Sequence, residues 1–461
     1  MTLVGPKVFA AKVVGATARR TGRGGGTSLP GKVLLKLDPH AITTLAQRLP
    51  SGSAVISATN GKTTTAAMTA AILAQADLSL VHNRAGANMA GGIATTLVEA
   101  SRSGRRINGD LGLFEVDEFW LDSLTTALTP RALLLANLFR DQLDRYGELD
   151  TIADRWAAAV TELPAATTLV LNADDPLIAD LGRDRANVTY FGVEDRSMAL
   201  PQMQHASDSK HCRRCGTAYH YEAIYLGHLG LYSCPNCGQQ RPAPSISARE
   251  VMLNGTTSAT FTLDTPLGSR QINLPLPGLY NVYNALGAAA LSLALGADLD
   301  QIEAGLAAVA PAFGRAETVE VDGVELTLLL IKNPAGANEV LRTVALESTA
   351  LDLLVILNDQ IADGRDVSWI WDADFELLVP QVRAVTCAGT RAAEMALRFK
   401  YAGVPAERIT VTPALKSALD HALADAVTGR LFVLPTYTAL LALRDELTDR
   451  GYVSHYWAGS A

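Results

Sequence analysis

The clearest chemical signal in the chain is a lysine that stands between a glycine and three threonines. Residues 58–65 read Ala-Thr-Asn-Gly-Lys-Thr-Thr-Thr and follow a short β-branched segment. A strand, a glycine turn and a helix start form a phosphate cradle, because backbone N–H groups and the helix dipole favour negative charge. Lys62 would contact the β- and γ-phosphates of a nucleotide, and the Thr63 hydroxyl would hold Mg²⁺. The predicted nucleotide-binding residues are Thr59, Asn60, Gly61, Lys62, Thr63 and Thr64.

This loop keeps only part of the common P-loop pattern. That pattern has a glycine five residues before Gly61, where this chain has Ile56. The alternative interpretation is an ordinary strand, turn and helix in which the lysine binds nothing. If the loop does bind phosphate, Lys62 should face the ligand rather than pack in the core, so its loss should leave folding intact.

Acidic residues follow a second apolar segment. Residues 111–118 read Leu-Gly-Leu-Phe-Glu-Val-Asp-Glu, which predicts a strand ending in Glu115, Asp117 and Glu118. Acids at the carboxyl end of a strand beside a P-loop are placed to hold Mg²⁺. The alternative is solvated charge at a strand end.

Four cysteines are spaced as metal ligands. Cys212 and Cys215 form one Cys-x-x-Cys-Gly unit, Cys234 and Cys237 form another, and 18 residues separate the units. Four thiolates fit tetrahedral Zn²⁺ and leave no open position, so the site should be structural. The aromatic and His-rich segment between the units is typical of a ribbon hairpin. A disulfide pair is the alternative.

The elements that position these residues alternate between strand and helix, which predicts an α/β fold with a mostly parallel sheet covered on both faces. A third unit begins near residue 318 and predicts a smaller, Rossmann-like sheet. We expect an N-terminal basic segment at 1–48 and a central nucleotide-binding domain at 49–312. A zinc-ribbon insertion is expected at 206–243 within that domain, and a C-terminal α/β domain at 313–461.

Composition limits the class of protein. The chain has 461 residues, a length typical of two or three domains. Its net charge of −8, 48% hydrophobic residues and 19% charged residues are typical of a globular protein. The acidic balance argues against a nucleic-acid binder. No apolar run is long enough to cross a bilayer, and the N-terminus lacks a signal peptide's apolar core. We therefore predict a cytoplasmic location.

The N-terminus differs from the rest of the chain in charge. Residues 1–36 hold seven Lys or Arg and no acid, and Val8, Ala11, Val13 and Val14 form a loose helical stripe. One interpretation is a solvated helix packed on the next domain. The other is weak attraction to pyrophosphate or to anionic lipid headgroups, which would make the protein peripheral at the membrane.

The loop at 58–63 resembles that of the Mur ligase family, which usually reads Gly-Thr-Asn-Gly-Lys-Thr. The resemblance implies that the nucleotide is ATP and that Glu115 binds Mg²⁺, with Glu118 as the other candidate. Residues 276–286 resemble the family signature Gly-x-His-Asn-x-x-Asn-Ala, which implies that Asn284 contacts adenine. Residues 313–317 resemble the hinge Gly-Arg-x-Glu, which implies that Arg315 reaches the ATP phosphates.

Several positions depart from the Mur ligase pattern. Gln142, Tyr280 and Lys332 stand where the family usually has His, and Ala58 replaces the first glycine of the loop. A segment at 357–376, absent from ordinary Mur ligases, holds five Asp and two Trp. An irregular loop with Asx-turns is its plain interpretation. Two Trp beside the acids suggest a surface for a partner or substrate.

This segment, the P-loop and the four cysteines together resemble the MurT family, the Mur-ligase-like subunits of lipid II isoglutaminyl synthases. In that family the ligase subunit pairs with GatD, a glutaminase subunit whose Cys and His lack a third triad member. The resemblance implies that Asp366 supplies the missing acid in trans, with Asp359 and Asp363 as the other candidates.

The resemblance further implies amidation of the D-glutamate α-carboxylate of lipid II at the inner membrane surface. The expected reaction passes through an acyl phosphate and needs ATP, Mg²⁺, structural Zn²⁺ and ammonia from the GatD-like partner. The main rival is a Mur or folylpolyglutamate-type ligase that adds an amino acid to a carboxylate. A second rival is a zinc-ribbon NTPase that serves as a nucleic-acid scaffold, which a salt-dependent shift with DNA or RNA would support.

Overall fold

A computed structural model describes residues 4–20, 28–76, 78–83, 87–102, 106–141, 149–205, 207–310 and 315–454. The helices are Val4–Arg20 (α1), Leu29–Leu37 (α2), Ala41–Ala46 (α3), Lys62–Ala74 (α4), Ala90–Ala100 (α5), Leu121–Leu128 (α6), Leu149–Glu162 (α7), Pro176–Asp180 (α8), Leu279–Ala294 (α9), Leu299–Ala307 (α10), Pro334–Val344 (α11), Ala392–Ala402 (α12), Leu415–Asp425 (α13) and Tyr437–Asp449 (α14).

The strands of the first half are Ser53–Ser57 (β1), Leu80–His82 (β2), Ser101–Arg102 (β3), Arg106–Ile107 (β4), Leu111–Glu115 (β5), Ala132–Leu135 (β6), Thr168–Asn172 (β7), Val188–Val193 (β8), His220–Leu226 (β9) and Leu229–Ser233 (β10). Those of the second half are Ile246–Asn254 (β11), Ser258–Thr265 (β12), Gly268–Leu274 (β13), Arg315–Val321 (β14), Val324–Leu329 (β15), Leu351–Ile356 (β16), Val382–Ala388 (β17), Ile409–Val411 (β18) and Arg430–Pro435 (β19).

The larger sheet has, within the described residues, nine strands in the order β13-β12-β11-β8-β7-β6-β1-β5-β2. The strands from β11 to β2 run parallel, and β11, β12 and β13 are antiparallel to one another. Every residue of β1, β5 and β6 is buried, because helices cover both faces of the sheet. Strand β1 lies between β5 and β6, so the loop after it opens at the centre of the sheet's carboxyl edge.

The smaller sheet is built from the C-terminal part of the chain, in the order β14-β15-β19-β16-β17-β18. Its strands are parallel apart from the β14–β15 hairpin. Cys387 lies in β17, and burial raises the pKa of its thiol to about 12, so the thiol stays protonated in the core. The prediction of an α/β fold with a second, smaller sheet is confirmed.

Two further parts attach to the larger sheet. The antiparallel hairpin β9–β10 and the four cysteines lie between β8 and β11, where the insertion was predicted. Helices α1 and α2 pack together with α5, so the described part of the basic N-terminus is largely helical. The domain boundaries given above stay predictions.

A buried charged cluster links the turn that follows β7 to the end of the insertion. The carboxylate of Asp174 accepts hydrogen bonds from Arg241 Nε (2.6 Å), the Tyr283 hydroxyl (2.6 Å) and the Val193 N–H (2.9 Å). Burial raises the pKa of Asp174, although Arg241 and Tyr283 favour its charged form. A carboxylate in such a position is stable only while its partners remain.

We predict that Arg241→Ala lowers the free energy of unfolding by about 3–5 kcal/mol, because it leaves the Asp174 charge buried without its cation. The matched control is Arg270→Ala, since Arg270 pairs with the exposed Asp300 and such pairs contribute about 0–1 kcal/mol. Urea denaturation followed by circular dichroism measures both variants. Adding Asp174→Asn to Arg241→Ala should restore part of the loss, and equal effects of the two arginine changes would contradict this account.

Candidate functional site

The P-loop turn is shaped by close packing against α9. Gly61 precedes α4 with φ +88°, a left-handed conformation that favours glycine. A Cβ at this position would lie 2.0 Å from the Asn284 side-chain oxygen. The Thr65 hydroxyl also donates to that oxygen, at 3.3 Å. The structure therefore brings Asn284 to the P-loop, as the prediction of a nucleotide-site residue requires.

A neighbouring strand end holds the loop in place. Asn137 lies just beyond β6, and its side chain accepts from the Asn60 N–H (2.9 Å) and donates to the Asn60 carbonyl (3.0 Å). The Thr59 hydroxyl accepts from the Phe139 N–H at 3.0 Å and lies 3.3 Å from the Phe139 carbonyl oxygen. No local pattern in the sequence indicates that Asn137 fixes this loop, because the two lie 77 positions apart.

Lys62 is buried in this structure, with only 7% of its surface exposed. Its ammonium donates to Glu118 Oε2 at 2.7 Å and to the Ala58 carbonyl. Burial alone lowers the pKa of Lys62, but the carboxylates of Glu118, Glu115 and Asp117 together outweigh that effect and the pKa is raised, so the side chain stays charged. The expectation that Lys62 is exposed rather than packed in the core is therefore wrong, because in this structure its side chain is buried and its ammonium is paired with Glu118.

Glu115 is the last residue of β5, and β1 pairs with β5 so that Ile56 lies opposite Glu115. Asn83 fixes the Glu115 backbone, since it accepts from its N–H (2.9 Å) and donates to its carbonyl (2.8 Å). The carboxylate is buried and lies 3.5 Å from the Asn88 amide nitrogen. A buried carboxylate at the carboxyl edge, next to the P-loop strand, is a suitable ligand for Mg²⁺.

The smaller sheet completes this site from the opposite side. Asn333 begins α11, and its amide exchanges two hydrogen bonds with the amide of Asn60, at 3.0 and 3.3 Å. The adjacent Lys332 pairs with Asp141 at 2.5 Å. Lys332, in the place of the usual His, therefore brings a second cation to the P-loop.

Other contacts hold the two sheets together away from the P-loop. Glu347 accepts from the backbone N–H and the hydroxyl of Thr256, at 3.0 and 2.6 Å, and also pairs with Arg430 at 2.7 Å. Arg342 of α11 donates to the Tyr225 carbonyl in the insertion at 2.8 Å. The Asn60–Asn333 contact is therefore one of several links.

Two residues that the sequence singled out lie partly or wholly outside the described structure. Gln142 lies outside the described residues. Arg315 begins β14, but its side chain is not described, so its contact with phosphate stays a prediction. Asn284 also donates to Asn281 at 3.1 Å, and its adenine contact stays a prediction as well.

The four cysteines meet in one cluster, in which all sulfur atoms lie within 4.8 Å of one another. Cys212 and Cys237 are 3.5 Å apart, and Cys215 and Cys234 are 3.4 Å apart. Sulfurs bound to one tetrahedral zinc at about 2.3 Å are separated by roughly 3.8 Å, so the cluster fits that ion. The glycine after each pair has positive φ, +74° and +73°, which turns the backbone around the sulfurs.

The hairpin of the insertion reaches the loop behind the P-loop. His228, at the tip between β9 and β10, is fully buried and packs on the Phe139 ring at 4.6 Å between centroids. Arg140, which follows Phe139, pairs with Asp208 at the start of the insertion and with Asp372 at 3.3 Å. Asp372 belongs to the loop that carries Asp366, so Arg140 lies between three parts of the chain.

The three candidate acids of that loop have different environments. Asp363 is buried and accepts from the Thr438 N–H (2.7 Å) and hydroxyl (2.5 Å), so it stabilises the loop. Asp359 pairs with Arg391 at 3.2 Å. Asp366 is exposed and accepts from the Ser368 N–H at 2.8 Å; hydrogen bonds from Ser368 lower its pKa, so it stays charged. Asp366 is therefore the acid best placed to meet another molecule.

Comparison with known proteins assigns the family. Residues 56–292 match the model of the Mur ligase middle domain, and residues 330–440 match that of the MurT ligase C-terminal region. The chain is 35% identical over 434 residues to a Streptococcus pneumoniae protein named lipid II isoglutaminyl synthase (glutamine-hydrolyzing) subunit MurT, an alignment that covers 93% of this chain and 94% of that protein. The chain belongs to the MurT family. It is a ligase subunit of the Mur ligase type.

Solved structures show that this MurT family member has the Mur ligase fold. A pseudomurein peptide ligase type C from Methanothermus fervidus superposes with a TM-score of 0.68 at 24% identity, covering 88% of this chain and 80% of that one. The MurF ligase of Thermotoga maritima in complex with ADP superposes with a TM-score of 0.64 at 13% identity, covering 90% of this chain and 85% of that one. Both likenesses concern the fold alone.

We predict that this MurT chain binds one zinc ion through its four cysteines and that Cys234→Ser loses it. Because the site is closed, the loss should destabilise the insertion more than the P-loop. Metal analysis of untagged protein and hydrogen exchange over residues 207–243 test both statements. Cys387→Ala is the matched control, since this thiol lies outside the cluster and its loss should leave the metal content unchanged; zinc-free wild-type protein would refute the prediction.

Proposed function

We propose that this chain is the ATP-dependent subunit that converts the D-glutamate α-carboxylate of the lipid II stem peptide to D-isoglutamine. A GatD-like glutaminase subunit would supply the ammonia. The observation that carries the proposal is that a P-loop and an exposed acid in a separate loop, Asp366, occur together in a chain that aligns over 93% of its length with a relative named as a subunit of a glutamine-hydrolysing synthase.

A carboxylate is a poor electrophile, so the first step activates it. A carboxylate oxygen attacks the γ-phosphorus of ATP, ADP leaves, and an acyl phosphate forms. Ammonia then attacks the acyl carbon, the nitrogen loses a proton, the bond from carbon to the phosphate oxygen breaks, and an amide and inorganic phosphate remain. Phosphoryl transfer depends mostly on positioning and on neutralising charge. The residues available for this are the cations at the P-loop.

Lys62 would neutralise charge on the β- and γ-phosphates after exchanging Glu118 for the nucleotide. Lys332 brings a second ammonium from the opposite side, and Arg315 would add a guanidinium. Thr63 and Glu115 would hold Mg²⁺, which would neutralise negative charge on the ATP phosphates. Each of these assignments is part of the proposal.

Ammonia is mostly ammonium at neutral pH, so it has to be produced where it is used. A glutaminase with a Cys–His pair needs an acid to orient the imidazole and stabilise its charged form. Asp366 is exposed, and its lowered pKa keeps it ionised. Ile361 and Trp371 in the same loop are also exposed, as residues at an interface with another subunit would be in the free chain.

The test of this proposal is to combine the chain with its glutaminase candidate and assay amidation of lipid II with ATP and glutamine. The rival, a ligase that adds an amino acid, predicts a product that carries that amino acid in place of the amide. Mass spectrometry separates the two products. ATP hydrolysis driven by a free amino acid, with no response to glutamine or ammonia, would favour the rival.

We predict that Lys62→Ala abolishes amidation and also lowers stability by about 3 kcal/mol, because it leaves Glu118 buried without its cation. The double variant Lys62→Ala with Glu118→Gln should recover stability but not activity. Thermal unfolding and turnover are measured on the same preparations. Near-full turnover by either variant would remove the P-loop from the mechanism.

We predict that Asp366→Asn strongly reduces amidation driven by glutamine and spares amidation driven by ammonium at high pH. The substitution removes the acid that would complete the partner's Cys–His pair and leaves the ATP site unchanged. The comparison is the ratio of the two rates in one complex. Asp359→Asn, in the same loop, is the control and should leave this ratio unchanged. If both rates fall equally in Asp366→Asn, this residue serves the ligase site or the fold instead.

A further inference from the structure

The first helix has its large apolar side chains on the outside. Phe9 and Val13 of α1 are 69% and 48% exposed, and Pro6 and Ala16 are exposed on the same stripe. A surface helix of a globular protein normally turns its large apolar residues to the core and its polar residues to water. Helix α1 is instead apolar on both faces, and its outer face, which carries Phe9 and Val13, is suited to an apolar or interfacial environment.

The inner face of α1 explains how the helix stays attached to the protein although its outer face is also apolar. Val8, Ala11, Gly15 and Ala18 are buried, and α1 packs along α2 and touches α5. Lys12 donates to the Ser101 carbonyl at 2.5 Å, at the end of α5. The helix is therefore fixed to the protein by Val8 and smaller residues, while Phe9 and Val13 remain exposed.

Exposed lysines of α2 lie beside the first turns of α1. Lys7 pairs with Asp38 at 3.1 Å, which places the C-terminal end of α2 beside the first turns of α1. Lys36 and Leu37 at that end are exposed, and so is Lys32 one turn earlier. Residues 1–36 contain seven Lys or Arg and no acid, in a chain whose net charge is −8.

We propose that the outer face of α1, with the exposed end of α2, docks onto a membrane surface rich in anionic lipid. Interfacial helices combine large apolar side chains with neighbouring Lys and Arg, and they lie in the headgroup region. No helix in the described part of the chain is long and apolar enough to span a bilayer. A second copy fits less well, since two such faces would bring cations together.

This inference rests on the proposed function, because a lipid-linked substrate has its reactive peptide at the membrane surface. A docked α1 would hold the enzyme at that surface. Helix α5 links α1 to the site. Asn83 and Asn88 lie just before α5 in the chain, and both contact Glu115 at the end of β5.

The test is co-sedimentation of the full chain with vesicles of phosphatidylcholine alone or mixed with phosphatidylglycerol. Wild-type protein should bind the mixed vesicles and bind phosphatidylcholine at least about tenfold more weakly. The double variant Phe9→Ser with Val13→Ser should lower binding about tenfold, and Lys32→Glu with Lys36→Glu should do the same. The control, Met252→Ser with Leu267→Ser, removes equally exposed apolar residues at the opposite edge of the larger sheet and should stay within twofold.

Thermal unfolding confirms that each variant is folded, as expected for exposed positions. Absence of wild-type binding to the mixed vesicles, or unchanged binding by Phe9→Ser with Val13→Ser, would overturn the inference. So would dimerisation in ultracentrifugation that this variant abolishes, since the face would then belong to a second copy. Amidation of detergent-dissolved lipid II by the complex with its glutaminase candidate is measured in parallel: its failure in wild type would overturn the proposed function and leave the vesicle result standing.

Discussion

The paired amide hydrogen bonds between Asn60 and Asn333 join the P-loop of the larger sheet to the first turn of a helix on the smaller one. Neither sheet alone presents both sides of the candidate site, because Lys62 comes from one and Lys332 from the other. The position of the second cation relative to the first therefore depends on how the two sheets are docked. The contacts of Glu347 with Thr256 and Arg430 help to set that docking at a distance.

Charge balance is the second constraint on the site. Each lysine near the P-loop already has a carboxylate partner, Glu118 for Lys62 and Asp141 for Lys332. A buried cation without a partner would cost several kcal/mol, so these acids stabilise the site before any ligand arrives. A nucleotide must compete with them, and only a ligand of high negative charge can replace Glu118 at Lys62 without leaving the ammonium unpaired.

The sequence predicted the elements and the identity of the site better than it predicted the contacts. The P-loop, the cysteine cluster and both sheets followed from spacing and periodicity, since these patterns are local. The burial of Lys62 could not be predicted in the same way, because it depends on Glu118, 56 positions away, and on the 3₁₀ turn that begins at that residue. The choice among Asp359, Asp363 and Asp366 also needed the structure. Asp363 accepts a hydrogen bond from Thr438, which lies in a helix 75 positions away in the chain.

The segment Phe139–Asp141 shows why an insertion can matter to a site that it does not enter. Phe139 contacts Thr59 of the P-loop on one side and His228 of the insertion on the other. Arg140 pairs with Asp208 and Asp372, and Asp141 pairs with Lys332. Three successive residues thus connect the P-loop, the cysteine insertion and the loop of Asp366. Because Zn²⁺ would order the insertion and so hold His228 and Asp208 in place, a structural metal would also support the geometry of the nucleotide site.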